Sequence, residues 1–167
     1  MNLSVEGKIR NYIFAAVLGV SFIGLFMAWA IGGEQDKDYR DNYHRYQQAI
    51  KLVDQQKYSE AQLILASLNA DSQTSYQVLY LQAICAEKGG DFTAAAGFMH
   101  KVLETRPALL QDQTYLYRYG TILYHLGEYE RAELYLQESL KYHADAETTK
   151  EANKYLIEIA YKSGQGR

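Results

Sequence analysis

A chain of 167 residues, 48% of them apolar, with a single proline and 12 glycines, is one packed domain plus an appendage rather than a disordered chain. Its formal charge of −3 comes from 17 basic and 20 acidic residues with no basic stripe, which argues against nucleic-acid binding. The lone Cys85 excludes an intrachain disulfide and a cysteine-rich zinc site and leaves the redox compartment open.

Residues 1–11 form a short tail carrying Lys8 and Arg10. From Tyr12 to Ile31 no residue is charged, and Gly32-Gly33 ends the run. About 20 helical residues at about 1.5 Å each match a bilayer's hydrocarbon core, so 12–32 reads as a transmembrane signal-anchor helix. Tyr12 and Trp29 stand near its ends, where amphipathic aromatics favour the interface. A cleaved signal peptide is the competing reading, because Ala28-Trp29-Ala30 has small-x-small spacing behind a basic head. The apolar run exceeds the usual signal-peptide core, which favours the anchor. Lys8 and Arg10 lie closer to it than Lys37, Arg40 and Arg45, and Glu34, Asp36, Asp38 and Asp41 dilute the far side. This points to a single-pass cell-membrane protein with its body outside the cytoplasm.

Residues 33–41 are a solvated linker. Helical periodicity starts near Tyr43, with Tyr46, Ile50 and Val53 on one stripe, and the polar Asp54–Lys57 closes it. Tyr58, Ala61, Leu65 and Leu68 mark a second helix, followed by a turn cluster at Asn69–Ser75 in which Asp71 or Ser72 is available as a cap. A helix from Tyr76 to Lys88 meets the Gly89-Gly90-Asp91 turn, and Phe92, Ala95, Met99, Val102 and Leu103 carry the next stripe until Pro107. A third pair spans about Asp112–Leu126 and Tyr129–Tyr142, split at Gly127. A last helix covers 147–163. No segment alternates with period two, so the chain is all-α.

Tyr58, Phe92 and Tyr129 each precede an alanine by three residues, and those alanines, Ala61, Ala95 and Ala132, are spaced 34 and then 37 residues apart. A helix–turn–helix unit at this period resembles the tetratricopeptide repeat, with a three-residue insertion around Ala108–Asp112. The third copy carries Leu116, Gly120, Leu123, Gly127, Tyr129, Ala132, Leu136 and Ser139. The second carries Leu79, Ala83, Ala86, Gly90, Phe92, Ala95, Met99 and Pro107. The first is weaker, since Arg45 and Gln48 stand where large apolar residues belong, although Ala49, Leu52, Tyr58, Ala61, Leu65 and Leu68 fit. The resemblance implies three repeats over 42–146 in a right-handed α-solenoid, with the last helix as its cap.

The resemblance further implies that the first helix of each pair lines a concave groove. Its stripe would hold Tyr43, Tyr46 and Ile50, then Gln77, Tyr80 and Ile84, then Thr114, Tyr117, Thr121 and Tyr124. Tyr46, Tyr80 and Tyr117 share one repeat position and would form a ladder offering contact area and hydroxyls to a peptide. Family members that clamp a terminal carboxylate use lysine and asparagine on the first repeat. Tyr46 and Ile50 stand there instead, so an apolar or mixed segment suits this groove better.

Catalytic constellations are missing. Gly89-Gly90 belongs to a helix–helix turn, and His44, His100, His125 and His143 lie apart without ligand spacing, so no metal or cofactor is expected. His100 with Glu104 reads as a surface pair, and Cys85 as a packed residue. The expected function is a non-enzymatic, membrane-anchored scaffold that binds a protein or peptide partner and helps assemble an envelope complex. The alternatives are a self-associating structural protein, or a secreted soluble protein after cleavage at Ala30.

Overall fold

The computed structural model describes residues 3–142 and 146–164, without the side chains of residues 3–6, 8, 9, 30–35, 163 and 164. His143 and the side chain of Ala30 therefore lie outside the described residues. The chain divides into two compact units, Met1–Tyr43 and His44–Arg167.

The first unit is a single helix, the start of α1 (Leu3–Asp54). Within it, Arg10–Trp29 is long and apolar enough to cross a membrane, and none of that window is buried. Phe22, Leu25 and Trp29 are about 70% exposed, as lipid-facing side chains would be. A signal sequence meets the same criteria of length and composition. Residues 33–41, expected as a linker, are helical. Past Gly33 no glycine or proline interrupts them, and long polar side chains cost a helix little.

In the second unit the end of α1 pairs with α2 (Tyr58–Ala66), α4 (Tyr76–Lys88) with α5 (Phe92–Thr105), and α6 (Gln113–His125) with α7 (Tyr129–Ser139). One turn of helix, α3 (Ala70–Gln73), joins the first pair to the second, and a 3-10 segment, Pro107–Gln111, joins the second to the third. The last helix, α8, spans Ala146–Gly164. No strand occurs among the described residues. The result is an all-α solenoid of three helix pairs and a capping helix.

The three turns inside the pairs share one construction. Lys57 N–H donates to Leu52 C=O (2.8 Å), Asp91 to Ala86 (2.9 Å) and Glu128 to Leu123 (3.0 Å). Each is the six-to-one bond that closes a helix end when the residue before it is left-handed. Gln56, Gly90 and Gly127 are those residues, with φ of 62°, 82° and 79°. The caps of the outer region fall elsewhere than expected. Asn69 accepts from Ser72 N–H to start α3, and Ser75 accepts from Val78 N–H to start α4, so neither Asp71 nor Ser72 is the cap.

Small residues set the spacing within each pair. Ala49, Ala61, Ala83, Ala95 and Ala132 are fully buried, and Gly120 faces α7. Val78, Leu81 and Cys85 of α4 pack on Ala49, Ala61 and Leu65, while Leu79, Ala83 and Ala86 join the core of the second and third pairs. α4 is thus buried on both sides, as stacking requires. The cap α8 buries Ala152 and Ile159 and packs Tyr155 and Leu156 on that core, whereas Ala160 is exposed.

Candidate functional site

The residues expected to line a groove are covered to very different extents. Gln77 and Thr114 are exposed, Tyr46, Ile50, Tyr80, Ile84 and Tyr117 are half-buried, and Thr121 and Tyr124 retain only 7% and 9% exposure. Tyr43, at 52% exposure, falls in the first unit.

Two of them, Tyr80 and Thr114, line one open cleft of about 230 Å³ together with Tyr76, Leu109, Asp112 and Tyr115. The inserted residues between the second and third pairs supply Leu109 and Asp112, so the interruption in the repeat period builds one wall. Asp112 also accepts from Tyr115 N–H (2.8 Å) and thereby starts α6. Tyr115 is anchored by its hydroxyl, which donates to Met99 C=O (2.8 Å), and its ring tilts against Tyr80 at 6.5 Å. The Arg106 guanidinium lies 4.5 Å over the Tyr76 ring. Tyr76, Leu109 and Tyr115 were not legible as site residues; the one signal for them was the broken period at Ala108–Asp112.

Beside the cleft, Arg118 of α6 is ion-paired with Glu87 of α4, and its Nε donates to the Tyr80 hydroxyl (3.3 Å). Burial opposes the guanidinium charge, but Glu87 and Tyr80 outweigh it and raise its pKa. Arg118 thus holds Tyr80 in place between two consecutive inner helices. Tyr46, Tyr80 and Tyr117 make no ring contact with one another among the described residues. Burial raises the Tyr46 pKa, with a lesser push from Tyr76. Burial also lifts Tyr117 to about 12, followed by Tyr155, Glu151 and Glu87 and opposed by Arg118.

At the far end α8 covers the stripe. The Tyr124 hydroxyl donates to Glu158 and accepts from Lys162 Nζ (2.8 Å), whose ammonium lies 4.4 Å over the Tyr124 ring and 5.1 Å over Tyr129. Tyr155 meets Tyr124 edge-on at 4.9 Å. Tyr124 thus fastens the capping helix. Thr121 is similarly occupied, its hydroxyl donating to Arg118 C=O (2.8 Å). Cys85 is buried, and burial pushes its thiol up to about 11. His100 and Glu104 form an exposed i,i+4 pair (3.4 Å). Among the described residues no cluster of histidine, cysteine and carboxylates has the arrangement of a metal site.

The geometry is that of a helical-repeat solenoid, with stacked helix pairs and an aromatic inner stripe. Residues 77–108 and 114–146, the second and third pairs, match the tetratricopeptide repeat family model. None of the curated proteins matches the chain. Among solved structures it resembles the Yersinia enterocolitica type III secretion chaperone SycD in complex with a peptide of the translocator YopD, with TM-score 0.61 and 16% identity over 72% of this chain and 93% of that one. It also resembles a T3SS complex from Aeromonas hydrophila, with TM-score 0.61 and 19% identity over 74% of this chain and 83% of that one. At these identities the likeness establishes the fold.

Proposed function

We propose that the helical body binds a peptide or helix of a partner protein along the inner-helix stripe, and that the N-terminal helix anchors the chain in a membrane, where it assists assembly of an envelope complex. The observation that carries the reading is the cleft in which Tyr80 and Thr114, from consecutive inner helices, meet Tyr76, Leu109 and Tyr115. Its volume, about 230 Å³, is below the roughly 300 Å³ at which small-molecule sites begin, and suits an apolar side chain or two of a larger partner. Tyr46, Ile50, Ile84 and Tyr117 would extend the contact, with the exposed Gln77 at its rim. The solved relative bound to a translocator peptide lends the same reading support at the level of fold. Catalysis is not part of it.

The test is in-cell photocrosslinking from position 114 in the full chain, alone and with Tyr46, Tyr80 and Tyr117 changed together to alanine. Loss of specific adducts from a variant that keeps its helical signal supports the stripe. Unchanged adducts reject it. Anchoring is checked by mass spectrometry of the mature amino terminus: a product beginning at Ile31 replaces the anchor by a secreted soluble protein.

A second reading, self-association, is favoured by Ile157 and Tyr161, which stand one turn apart on α8 with 70% and 67% exposure. Sedimentation of the full chain in detergent micelles distinguishes the two, because a monomer across micromolar concentrations removes it.

A further inference from the structure

α8 stands in the place of the first helix of a fourth pair. Its Ala152, Leu156 and Ile159 follow Leu116, Gly120 and Leu123 of α6 at a distance of 36 residues each. Ala152 and Ile159 are buried, as Leu116 and Leu123 are. Where the inner helices carry Ala49, Ala83 and Gly120 to admit an outer helix, α8 carries Leu156, which itself packs on the core. The opposite face of α8 is left over. Lys150, Lys154, Ile157 and Tyr161 fall on it at i, i+4, i+7 and i+11, and all four are exposed.

The rest of the solenoid shows what covers this face. Ile157 occupies the repeat position of Ile50, Ile84 and Thr121. Ile50 packs on the cluster to which α4 contributes Val78 and Cys85, and Thr121 is 7% exposed where α8 crosses α6. Ile157 is 70% exposed, with no helix of the described residues across it. The cover at the earlier positions is the next inner helix, which runs in the same direction because one antiparallel return separates each from the next. A terminal helix of a solenoid ordinarily turns a polar face to water. This one instead carries two apolar side chains a turn apart, preceded by Lys150 and Lys154, which have no ion pair among the described residues. A second copy fits the face poorly. His44 and Lys51, both exposed, stand in the first pair where α4 carries Val78 and Cys85, so head-to-tail stacking would bring a charge onto Ile157. Two α8 helices laid parallel would oppose Lys150 to Lys150 and Lys154 to Lys154.

We infer that this face of α8 binds an amphipathic helix of a partner protein, parallel to α8, with Asp or Glu in its first turns against Lys150 and Lys154 and two apolar residues a turn apart against Ile157 and Tyr161. The helix dipole reinforces that order, since it favours acidic residues near a helix N-terminus. The site lies beyond the inner stripe and uses none of Tyr46, Tyr80 and Tyr117. It takes the same two apolar residues on which self-association would rest, so the experiment separates the two.

The probe is a phage-displayed library of helical peptides, selected on the full chain in detergent micelles after removal of peptides that bind empty micelles. Peptides in which Asp or Glu precedes an apolar pair are expected. Their binding falls about tenfold on Ile157→Ala or Tyr161→Ala and about threefold on Lys154→Ala. Lys154→Glu turns the selection toward peptides with Lys or Arg in the first turns, a change that a merely structural role would not produce. These side chains are exposed, so the variants keep Tm within about 2 °C of the parent. Selected peptides that Ile157→Ala spares overturn the inference, and if Tyr80→Ala abolishes them the inner stripe survives as a site. Peptides in which the apolar pair precedes the acidic residues overturn the parallel arrangement and the inference with it. A concentration-dependent dimer of the full chain that Ile157→Ala disperses assigns the face to a second copy and overturns it too, as does recovery of no peptide.

Discussion

Gly120 on α6 stands so close to Leu136 on α7 that a Cβ added to it would lie 2.8 Å from Leu136 Cγ and 3.2 Å from the Leu136 backbone nitrogen. The tightest contact is not with the tip of the side chain, so rotation of a terminal methyl does not relieve it. Gly120→Ala is expected to destabilise the body by about 1–3 kcal/mol, the usual cost of overpacking. Gly97, on the exposed face of α5, has nothing within 4 Å of its built Cβ. Gly97→Ala is expected to stabilise by about 0.5–1 kcal/mol through helix propensity. Urea denaturation of the two variants should therefore shift in opposite directions.

Gln56 occupies the turn position that Gly90 and Gly127 fill in the other pairs, and does so at φ 62°. A residue with a Cβ pays about 1–2 kcal/mol for the left-handed conformation, and glycine returns part of that as unfolded-state entropy. Gln56→Gly should stabilise by about 0.5–1 kcal/mol net. A loss of stability would show that the Gln56 side chain contributes something the backbone geometry does not require.

Arg118 and Glu87 are largely screened from water, with side-chain exposures of 23% and 16%. Among the described residues, Arg118→Ala leaves Glu87 with Lys88 as its one ion-pair partner, 3.7 Å away and 48% exposed, and removes the hydrogen bond to the Tyr80 hydroxyl. The cost should be about 2 kcal/mol, most of it the penalty of a half-buried carboxylate left poorly matched. Glu87→Gln combined with Arg118→Ala should recover part of the loss, and a double-mutant cycle read by denaturation measures how much.

The Tyr117 pKa is raised from 10.0 to about 12, by burial first and then by Tyr155, Glu151 and Glu87. Because the folded state holds this proton more tightly than the unfolded chain, the contribution is complete below pH 10 and is lost as pH rises through the folded value. Tyr117→Phe should lose less stability than the parent on passing above pH 10, by about 1–2 kcal/mol once solvent screening of a half-exposed ring is allowed for. Parallel alkaline losses in the two proteins would place the pressure on other tyrosines.

The architecture was legible because its signals are local. The aromatic–alanine spacing at Tyr58/Ala61, Phe92/Ala95 and Tyr129/Ala132 encodes each pair, and the 34-residue period places the pairs in phase. The same period aligns Gln56 with Gly90, a correspondence visible only once the backbone showed that both are left-handed. The cleft around Tyr80 and Thr114 was half legible: its inner-helix members follow the stripe, but Leu109 comes from a segment that reads as an interruption. Residues 33–41, whose charge marks them as a solvated linker, are helical, because charged residues extend a helix readily when, as past Gly33, no glycine or proline intervenes.

The sequence by itself determined the apolar N-terminal run, the three helix pairs and the small residues at which each pair closes, because these rest on contacts three or four residues apart and on single turns. Only the tertiary structure decided which parts of the inner stripe stay open. α8 claims Tyr124 through Glu158 and Lys162, a relationship between residues 34 and 38 positions apart. It also decided that the space between Ala66 and Phe98 stays open, since that depends on α2 stopping short of the end of α5. Periodicity marks which face of a helix is apolar; whether another helix is long enough to cover it is a property of the neighbour.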